Sequence, residues 1–184
     1  MFDWVISDTH FFHKNIVQYA GRPANHNELM IENWHSTVRE GETVLHLGDV
    51  LMGQQQLWPT ILLTRNVDVL DSGNHDEPHK RKWIETYWGW KFIPEFDMQY
   101  RGWMIYFSHR PLWVDYPNPN DNTEVVVNRE GLKYPGNHSI NVHGHIHEKL
   151  APSRYHINVS VEQIGYKPVR LKEILDNKIG ELEV

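Results

Sequence analysis

The chain has 184 residues, 40% of them hydrophobic and 23% charged, and it contains no cysteine; these values suit a globular domain and exclude disulfides and thiolate metal ligands. The net charge of −6 disfavours a protein that holds long nucleic acid by its phosphates. No apolar stretch reaches the roughly 20 residues that cross a bilayer, and residues 1–10 lack the features of a signal peptide, so we expect a single cytoplasmic domain over residues 1–184.

The first half of the chain alternates predicted strands and helices. Strands are predicted over residues 2–7, 43–47 and 67–70, and helices over residues 27–39, 54–63 and 79–88. Asn27 is a candidate N-cap for the first helix. Such alternation is typical of βαβ units and predicts a partly parallel sheet.

The second half contains shorter predicted strands, over residues 92–93, 98–100, 104–107, 139–142 and 157–161. Arg101-Gly102 is a hairpin turn signal. Residues 171–175 predict a last helical turn, and residues 178–180 resemble a turn. Residues 115–137, rich in Asn, Pro and Gly, predict a long loop with one short element near residues 125–127. A loop of this length is often functional, and we expect it to overhang the site and help select substrate.

Polar clusters follow five of the predicted strands. They are Asp8-Thr9-His10, Gly48-Asp49, Gly73-Asn74-His75-Asp76, Ser108-His109 and Gly144-His145-Ile146-His147. Loops at the carboxyl ends of strands in an open α/β sheet meet in one crevice. Carboxylates, an amide oxygen and neutral imidazoles together suit manganese, iron or zinc better than calcium or magnesium. Two such ions can clamp the attacking and leaving oxygens of a phosphoryl displacement.

The ordered set D-x-H, G-D, G-N-H-D, H and G-H-x-H resembles the calcineurin-like metallophosphoesterase superfamily and extends from Asp8 to His147. Residues 7–15 and Gly21-Arg22-Pro23 are similar to a compact bacterial and phage subgroup of it. The resemblance implies an α/β fold of two packed mixed β-sheets flanked by helices, a four-layer αββα sandwich.

The resemblance also implies a role for each residue of the five clusters. One metal ion would be bound by Asp8, His10 and His147, and the other by Asn74, His109 and His145. Asp49 would bridge the two ions, and a water made acidic by them would be the nucleophile. His75 would protonate the leaving oxygen, with Asp76 orienting it. Manganese is the favoured metal, and iron, zinc and nickel are alternatives.

Several residues outside these clusters are candidates for contact with substrate. His13 and Asn15 follow the first cluster closely, and Arg22 and Arg110 can present a guanidinium fork to phosphate. Trp113 is a candidate pocket residue, with core packing as the alternative. Two further histidines lie beside the clusters. His46 is interpreted as a hydrogen-bonded core histidine, and His143 as supporting the site rather than binding metal.

We therefore expect a dinuclear-metal hydrolase of small phosphodiesters, such as cyclic or linear nucleotides. Its partner would be a small phosphorylated substrate, a nucleotide, rather than long nucleic acid or a membrane. A phosphomonoesterase, including a protein phosphatase, and a nuclease are the enzymatic alternatives. An interaction scaffold on the same fold is the alternative of another class. The oligomeric state is left open.

Overall fold

The computed structural model describes residues 1–53, 63, 66–112 and 138–184, together with the backbone of residues 114–115 and 126–127. Apart from those residues, the helix predicted over 54–63 and the loop predicted over 115–137 lie outside the described part, as does Trp113. In chain order, the described elements are β1 (Trp4–Ile6), α1 (Ile16–Tyr19), α2 (His26–Thr37), β2 (Val44–His46), β3 (Val67–Leu70), α3 (Pro78–Tyr87), β4 (Lys91–Ile93), β5 (Phe96–Tyr100), β6 (Trp103–Phe107), β7 (Val114–Asp115), β8 (Val126–Val127), β9 (Ser139–His143), β10 (His156–Asn158), β11 (Val169–Arg170) and α4 (Leu171–Leu182).

The strands form two mixed sheets and a small two-stranded ribbon. The first sheet has the order β11-β1-β2-β3-β4, in which β1 to β4 run parallel and β11 is antiparallel to β1. This arrangement confirms the βαβ pattern predicted for the first half. The second sheet has the order β10-β9-β6-β5, in which β10, β9 and β6 are parallel. Strands β7 and β8 pair only with each other among the described strands.

The predicted hairpin joins β5 and β6, which pair in antiparallel register from Phe96↔Phe107 to Tyr100↔Trp103. Arg101 and Gly102 both have positive φ, at 50° and 81°. Two consecutive left-handed residues are the signature of the tight turn whose twist matches that of the flanking strands. The turn signal in the sequence is confirmed.

Alternation along β1 shows how the first sheet separates two apolar clusters. Trp4 and Ile6 belong to a cluster that includes Trp34 from α2 and Trp83 from α3. Val5, between them, belongs to a second cluster with residues of both sheets and of α4. Successive side chains of a strand point to opposite faces. The two sheets therefore pack face to face, with α2 and α3 on the outer face of the first sheet.

Helix α2 begins at His26, and its N-cap is Asn25, which makes no side-chain capping bond. The expectation that Asn27 caps this helix is wrong. Asn27 lies inside the helix, and its Oδ1 accepts a hydrogen bond of 2.8 Å from the Phe12 backbone N–H. This side chain ties the helix to the segment that follows the first polar cluster.

The last helix, α4, is longer than the single turn predicted from the sequence. It extends from Leu171 to Leu182 and includes Gly180, which was expected in a turn. Leu171, Leu175 and Ile179 repeat every four residues and are fully buried in the second cluster. Burial of this stripe outweighs the weak helix propensity of one glycine. None of the helices in the described residues is long and apolar enough to span a membrane.

Candidate metal centre

Five loops carry the predicted ligands, and each follows the carboxyl end of a strand. Asp8 follows β1, Asp49 follows β2 and Asn74 follows β3. His109 follows β6, and the 145–147 segment follows β9. Backbone hydrogen bonds join these loops directly, because Asp8 N donates to Gly48 O and Gly144 N donates to His109 O, at 3.1 and 3.0 Å. The parallel neighbours of each sheet thus bring their loops to one place.

The side chains of these loops form two groups. In each group, the candidate ligand atoms lie within 4.8 Å of one another. Group one consists of Asp8, His10 and His147, and group two of Asp49, His109 and His145. Asn74 joins group two, because its Oδ1 lies 3.0 Å from His109 Nε2. The partition is the one that the sequence resemblance implies.

Asp49 lies between the two groups. Its Oδ2 is 3.5 Å from His10 Nε2 and 3.4 Å from His109 Nε2. Its Oδ1 accepts a hydrogen bond of 2.8 Å from the His75 backbone N–H. One carboxylate oxygen is therefore held by the backbone, and the other faces both groups. This is the position that a bridging ligand requires.

The donor atoms of group one fit a cation. Asp8 Oδ2 accepts hydrogen bonds from His145 N and Ser160 Oγ, at 2.8 and 3.1 Å. Asp8 Oδ1 and both ring nitrogens of His10 are buried and make no hydrogen bond within the described part of the chain. Buried polar atoms without partners are rare because they lose their hydration. They suit a cation that accepts one lone pair from Asp8 Oδ1 and one from a ring nitrogen of His10.

Hydrogen bonds to carbonyl and carboxylate oxygens fix the tautomers of two histidines. His109 Nδ1 lies 3.0 Å from Leu47 O, and His147 Nδ1 lies 3.1 Å from Glu162 Oε1. These oxygens can only accept, so both Nδ1 atoms carry hydrogen. In the neutral rings, Nε2 is left with its lone pair, and a bond from the other nitrogen to an oxygen is the usual support of a metal-binding histidine.

The electrostatics of the centre favour positive charge beside the carboxylates. Burial alone would raise the pKa of Asp49. The charge and hydrogen bond of the His109 ring have a larger opposite effect, and the pKa lies well below its usual range. Burial lowers the pKa of His109, yet Asp49 and Asp8 raise it to about 9. Burial and then His109 lower the pKa of His145 to about 3. Because metal ligands must be deprotonated, a bound cation takes over the charge that His109 carries as a proton.

Five of the candidate ligands have left-handed backbone conformations. Positive φ values occur at Asp8 (57°), His10 (44°), Asp49 (60°), His145 (69°) and His147 (50°). Such a conformation costs a residue with a Cβ on the order of 1–3 kcal/mol and persists only where the surroundings impose it. The loops are therefore held in shapes that direct their side chains inward.

Glycines in the clusters allow these loops to approach each other closely. A Cβ on Gly144 would overlap Ser7 Oγ and Asp8 Oδ2. A Cβ on Gly73 would overlap Asp76 Oδ2 and lie 2.6 Å from Asp49 N. These two positions require glycine for packing.

His75 and Asp76 do not form the predicted pair. His75 is half-buried, and its ring centroid lies 5.4 Å from that of His10, beside group one rather than within either group. The Asp76 oxygens accept hydrogen bonds from the backbone N–H groups of Asp49 and Val50, at 2.6 and 2.9 Å. The expectation that Asp76 orients the His75 ring is corrected, because both oxygens instead hold the loop of Asp49. Burial and the Asp49 charge raise the pKa of Asp76 to about 6.

The four candidate substrate contacts have different positions. The His13 ring lies 5.7 Å from the His10 ring, and Asn15 is exposed at the start of α1. Arg110 is half-buried, and its charge contributes to the lowered pKa of His145, after burial and His109. These three stay candidates. Arg22 was wrongly interpreted as a phosphate clamp, because its side chain is fully buried and its donors are used within the protein.

The two histidines beside the clusters support the loops. His46 is confirmed as a core histidine: its Nδ1 accepts from Gly48 N at 3.1 Å, and its Nε2 lies 3.0 Å from Thr9 Oγ1. His143 is buried, with Nδ1 2.9 Å from Gly144 O. Within the described residues it belongs to neither ligand group.

Sequence reasoning missed Ser160 and Glu162, whose side chains contact the side chains of two candidate ligands. Ser160 donates to Asp8, and Glu162 accepts from His147. A signal for them was present, because Ser160 lies near the end of the strand predicted over residues 157–161 and Glu162 directly follows it. They were overlooked because neither belongs to a cluster of Asp, Asn and His.

The calcineurin-like phosphoesterase superfamily domain matches residues 1–163 of the chain. The chain belongs to this superfamily. An uncharacterized protein of Methanocaldococcus jannaschii is 31% identical over 181 residues, which cover 94% of this chain and 88% of that relative. The gene 66 protein of Mycobacterium phage L5 is 26% identical over 209 residues, with 98% and 96% covered.

Among solved structures, a protein of unknown function from Aquifex aeolicus superimposes with a TM-score of 0.66. The match has 24% sequence identity and covers 94% of this chain and 97% of that one. At this identity the likeness concerns the fold, a sandwich of two mixed sheets with flanking helices.

Proposed function

We propose that the protein is a dinuclear-metal hydrolase that cleaves small phosphodiesters, such as cyclic or linear nucleotides. The position of Asp49 carries the proposal. Its Oδ2 faces a nitrogen of each ligand group at nearly equal distances, and superfamily membership supports phosphoester chemistry. A single carboxylate oxygen shared by two ligand sets suits two divalent ions held close together.

In this proposal, group one would hold one ion, group two with Asn74 would hold the other, and the Asp49 carboxylate would serve both. A pair of divalent ions held there would supply an acidic water at neutral pH and positive charge beside the phosphoryl group. Manganese is favoured by the mixture of imidazole and oxygen donors, with iron, zinc and nickel as alternatives. Asp76 and Leu47 hold the loop of Asp49 and the ring of His109 in place.

His75 is the proposed general acid. Its backbone N–H is bonded to the Asp49 carboxylate, which fixes the start of the side chain beside the bridging residue. The ring lies next to His10, within reach of a phosphoryl group bound at the centre. From there, His75 can give a proton to the leaving oxygen.

A cavity beside His13 supports the choice of a small substrate. It has a volume of about 290 Å³, near the lower end for ligand pockets. Its lining consists of Phe12, His13, Lys14, Val17, Ala24, His26 and Asn27. The lining combines apolar side chains with imidazole, amide and ammonium groups, a mixture that suits the sugar or base of a nucleotide.

The test compares two diesters that differ in their leaving groups, each assayed with Mn²⁺. Bis(p-nitrophenyl) phosphate releases p-nitrophenolate, which departs readily without a proton, whereas a 2′,3′-cyclic nucleotide releases a ribose alkoxide, which is a poor leaving group. We expect His75→Gln to lose about 10² to 10⁴ in rate on the cyclic nucleotide and much less on the nitrophenyl ester. His79→Gln, at an exposed position on α3, is the matched control.

Metal content measured on the same preparations distinguishes the alternatives. If His75→Gln loses metal and both substrates lose rate alike, His75 is a ligand and the assignment is wrong. If the parent cleaves p-nitrophenyl phosphate but neither diester, the protein is a monoesterase. A parent that binds metal and cleaves none of these esters contradicts the enzymatic proposal and favours a scaffold.

A further inference from the structure

All three guanidinium nitrogens of Arg22, in the Gly21-Arg22-Pro23 motif, make hydrogen bonds inside the protein. Its Nε and Nη2 each lie 2.7 Å from Glu162 Oε1. Nη1 donates to Thr9 O at 2.7 Å, and Nη2 also donates to Asp8 O at 2.6 Å. The side chain of Arg22 is 0% exposed and that of Glu162 is 4% exposed. One buried ion pair is thus hydrogen-bonded to the backbone carbonyls of Asp8 and Thr9 in the first ligand loop.

Glu162 extends this contact to a second ligand loop. Its Oε1 accepts the Nδ1–H of His147 at 3.1 Å, in addition to the bonds from Arg22. A continuous set of hydrogen bonds therefore links the carbonyls of Asp8 and Thr9 to the ring of His147. Both ends of the set lie in group one.

The conformation of the first loop explains why these hydrogen bonds from Arg22 are needed. Asp8 and His10, on either side of Thr9, are both left-handed. An unsupported loop would relax away from these conformations, since each costs on the order of 1–3 kcal/mol. Two charged hydrogen bonds to consecutive carbonyls oppose that relaxation. A lysine could not replace them, because it lacks the planar fork that reaches several acceptors at once.

A buried ion pair contributes little net free energy to the stability of a fold. Removing two charges from water often costs more than their attraction returns, and well-packed apolar residues serve stability equally well. Positioning the candidate ligands of group one is a role that accounts for an Arg22–Glu162 ion pair at this place. Group two is held by other contacts, among them Leu47 O on His109 and the Asp76 carboxylate on the Asp49 loop.

We infer that Arg22 and Glu162 act together as positioning residues for the metal ion of group one, and that they affect the ion of group two far less. Arg22 fixes the loop of Asp8 and His10. Glu162 fixes the tautomer and direction of the His147 ring. The inference rests on the proposed function only in that two ions are bound.

The experiment measures stepwise Mn²⁺ binding to metal-depleted protein by calorimetry, with electron paramagnetic resonance to separate single from coupled ions. Glu162→Gln and Arg22→Lys are the test variants. His147→Ala, which removes a ligand of group one, identifies the binding step of that group. Arg170→Lys is the control, because Arg170 forms an ion pair of the same 2.7 Å length with Glu42, away from the ligand loops.

We expect both test variants to weaken the step that His147→Ala abolishes by about 10- to 100-fold, as for other residues that support a ligand. The other step should stay within about threefold of the parent, and the control should leave both unchanged. Thermal unfolding of the metal-free variants separates positioning from folding, since a purely structural pair would lower the midpoint without changing the ratio of the two binding constants.

Unchanged binding constants in folded Glu162→Gln, or equal weakening of both steps, would overturn the inference. If Arg22→Lys does not fold, Glu162→Gln decides alone, because it keeps the shape of the side chain. A parent chain that binds fewer than two Mn²⁺ ions contradicts the proposed function itself. That result is distinguished from a failure of the positioning role, because the parent and the Arg170→Lys control would both bind fewer than two ions.

Discussion

In two carboxylates of the candidate centre, the two oxygen atoms have different neighbours. Asp49 Oδ1 is occupied by a backbone N–H, whereas Oδ2 faces both ligand groups. Asp8 shows the same division, with Oδ2 bonded to the protein and Oδ1 without a bond in the described residues. Each carboxylate thus has one oxygen that orients it and one that is directed at the centre.

Replacing Asp49 by Asn should therefore weaken both metal ions together. Asparagine keeps an oxygen that can accept from His75 N but removes the charge shared by the two groups. We expect each binding constant to fall by at least about tenfold, since the loss of a ligand's charge exceeds the loss of a supporting bond. Calorimetry with Mn²⁺ and elemental analysis measure this, with the exposed Asp97→Asn on β5 as control. An effect on only one of the two ions would show that Asp49 is not a bridge.

His46 gives the protein a titration at mildly acidic pH. Burial lowers its pKa to about 4, and its Nδ1 is needed as an acceptor for Gly48 N. A histidine with a lowered folded-state pKa takes up its proton more readily in the unfolded chain. The contribution of neutral His46 to the unfolding free energy is therefore fully present above about pH 6.5. It is lost as the pH falls from 6.5 towards 4.

We expect His46 to account for about 3 kcal/mol of the unfolding free energy lost across this pH range. In His46→Gln the loss between pH 6.5 and 4 should be smaller by roughly that amount, although the variant is less stable at pH 6.5. Urea unfolding at several pH values, with a chelator present, measures it. His35→Gln, exposed on α2, is the control. Equal pH dependence of His46→Gln and the parent would rule out this role.

At this scale the sequence indicates which candidate ligands lie together better than it indicates the contacts that hold them. The resemblance carried by the five clusters implied that Asp8, His10 and His147 form one group, and these three side chains lie together in the structure. The partners of Arg22 were not predictable, because Asp8 is 14 residues away and Glu162 is 140 residues away. A guanidinium reaches whichever acceptors the fold brings to it. Asp76 was misassigned for the same reason, since adjacency to His75 in sequence does not direct its carboxylate.

Among the elements, α4 shows how tertiary burial outweighs local signals. Leu171, Leu175 and Ile179 are fully buried, and this stripe continues the helix through a segment that resembles a turn. The strands are better predicted, because apolar runs such as residues 67–70 are short and bounded by polar clusters. The two-residue β11 was not predicted, since so short a strand has no periodicity of its own.

Gly180→Ala should stabilise the protein. Gly180 is exposed in the last turns of α4, and a Cβ there would meet nothing within 4 Å. Alanine restricts the unfolded chain and favours the helix, so we expect a gain of about 0.5–1 kcal/mol. Urea unfolding measures this gain. Gly144→Ala is the contrasting variant, because its Cβ would overlap the Asp8 carboxylate and should lower both stability and metal affinity. A loss of stability in Gly180→Ala would contradict the helical assignment.

For the whole molecule, the parallel arrangement of neighbouring strands is what brings distant clusters together. The resemblance to a known superfamily predicted the sandwich of two mixed sheets. Residue patterns alone predicted only the parallel part of the first sheet. The pairing of β6 with β9 joins residues far apart in the chain, and no local pattern encodes such a pairing.

The net charge of −6 belongs to this scale as well. We expect little cleavage of long duplex DNA, because a protein that holds a duplex needs basic residues to displace its counterions. Plasmid DNA and bis(p-nitrophenyl) phosphate can be assayed side by side with Mn²⁺ on one preparation. Efficient digestion of the plasmid that declines steeply as salt is added would overturn the preference for small substrates.

The bond between Arg22 and Glu162 also has a consequence for protein synthesis. Asp8 and His10 leave the ribosome early, whereas His147 and Glu162 are translated long afterwards. A nascent chain that has not reached His147 has neither the ring that completes group one nor the carboxylate that secures Arg22. Until then, the early ligands lack the contacts that impose their left-handed conformations. If group one binds an ion as proposed, that ion would be acquired only after translation has passed β10, too late to guide the folding of the N-terminal half.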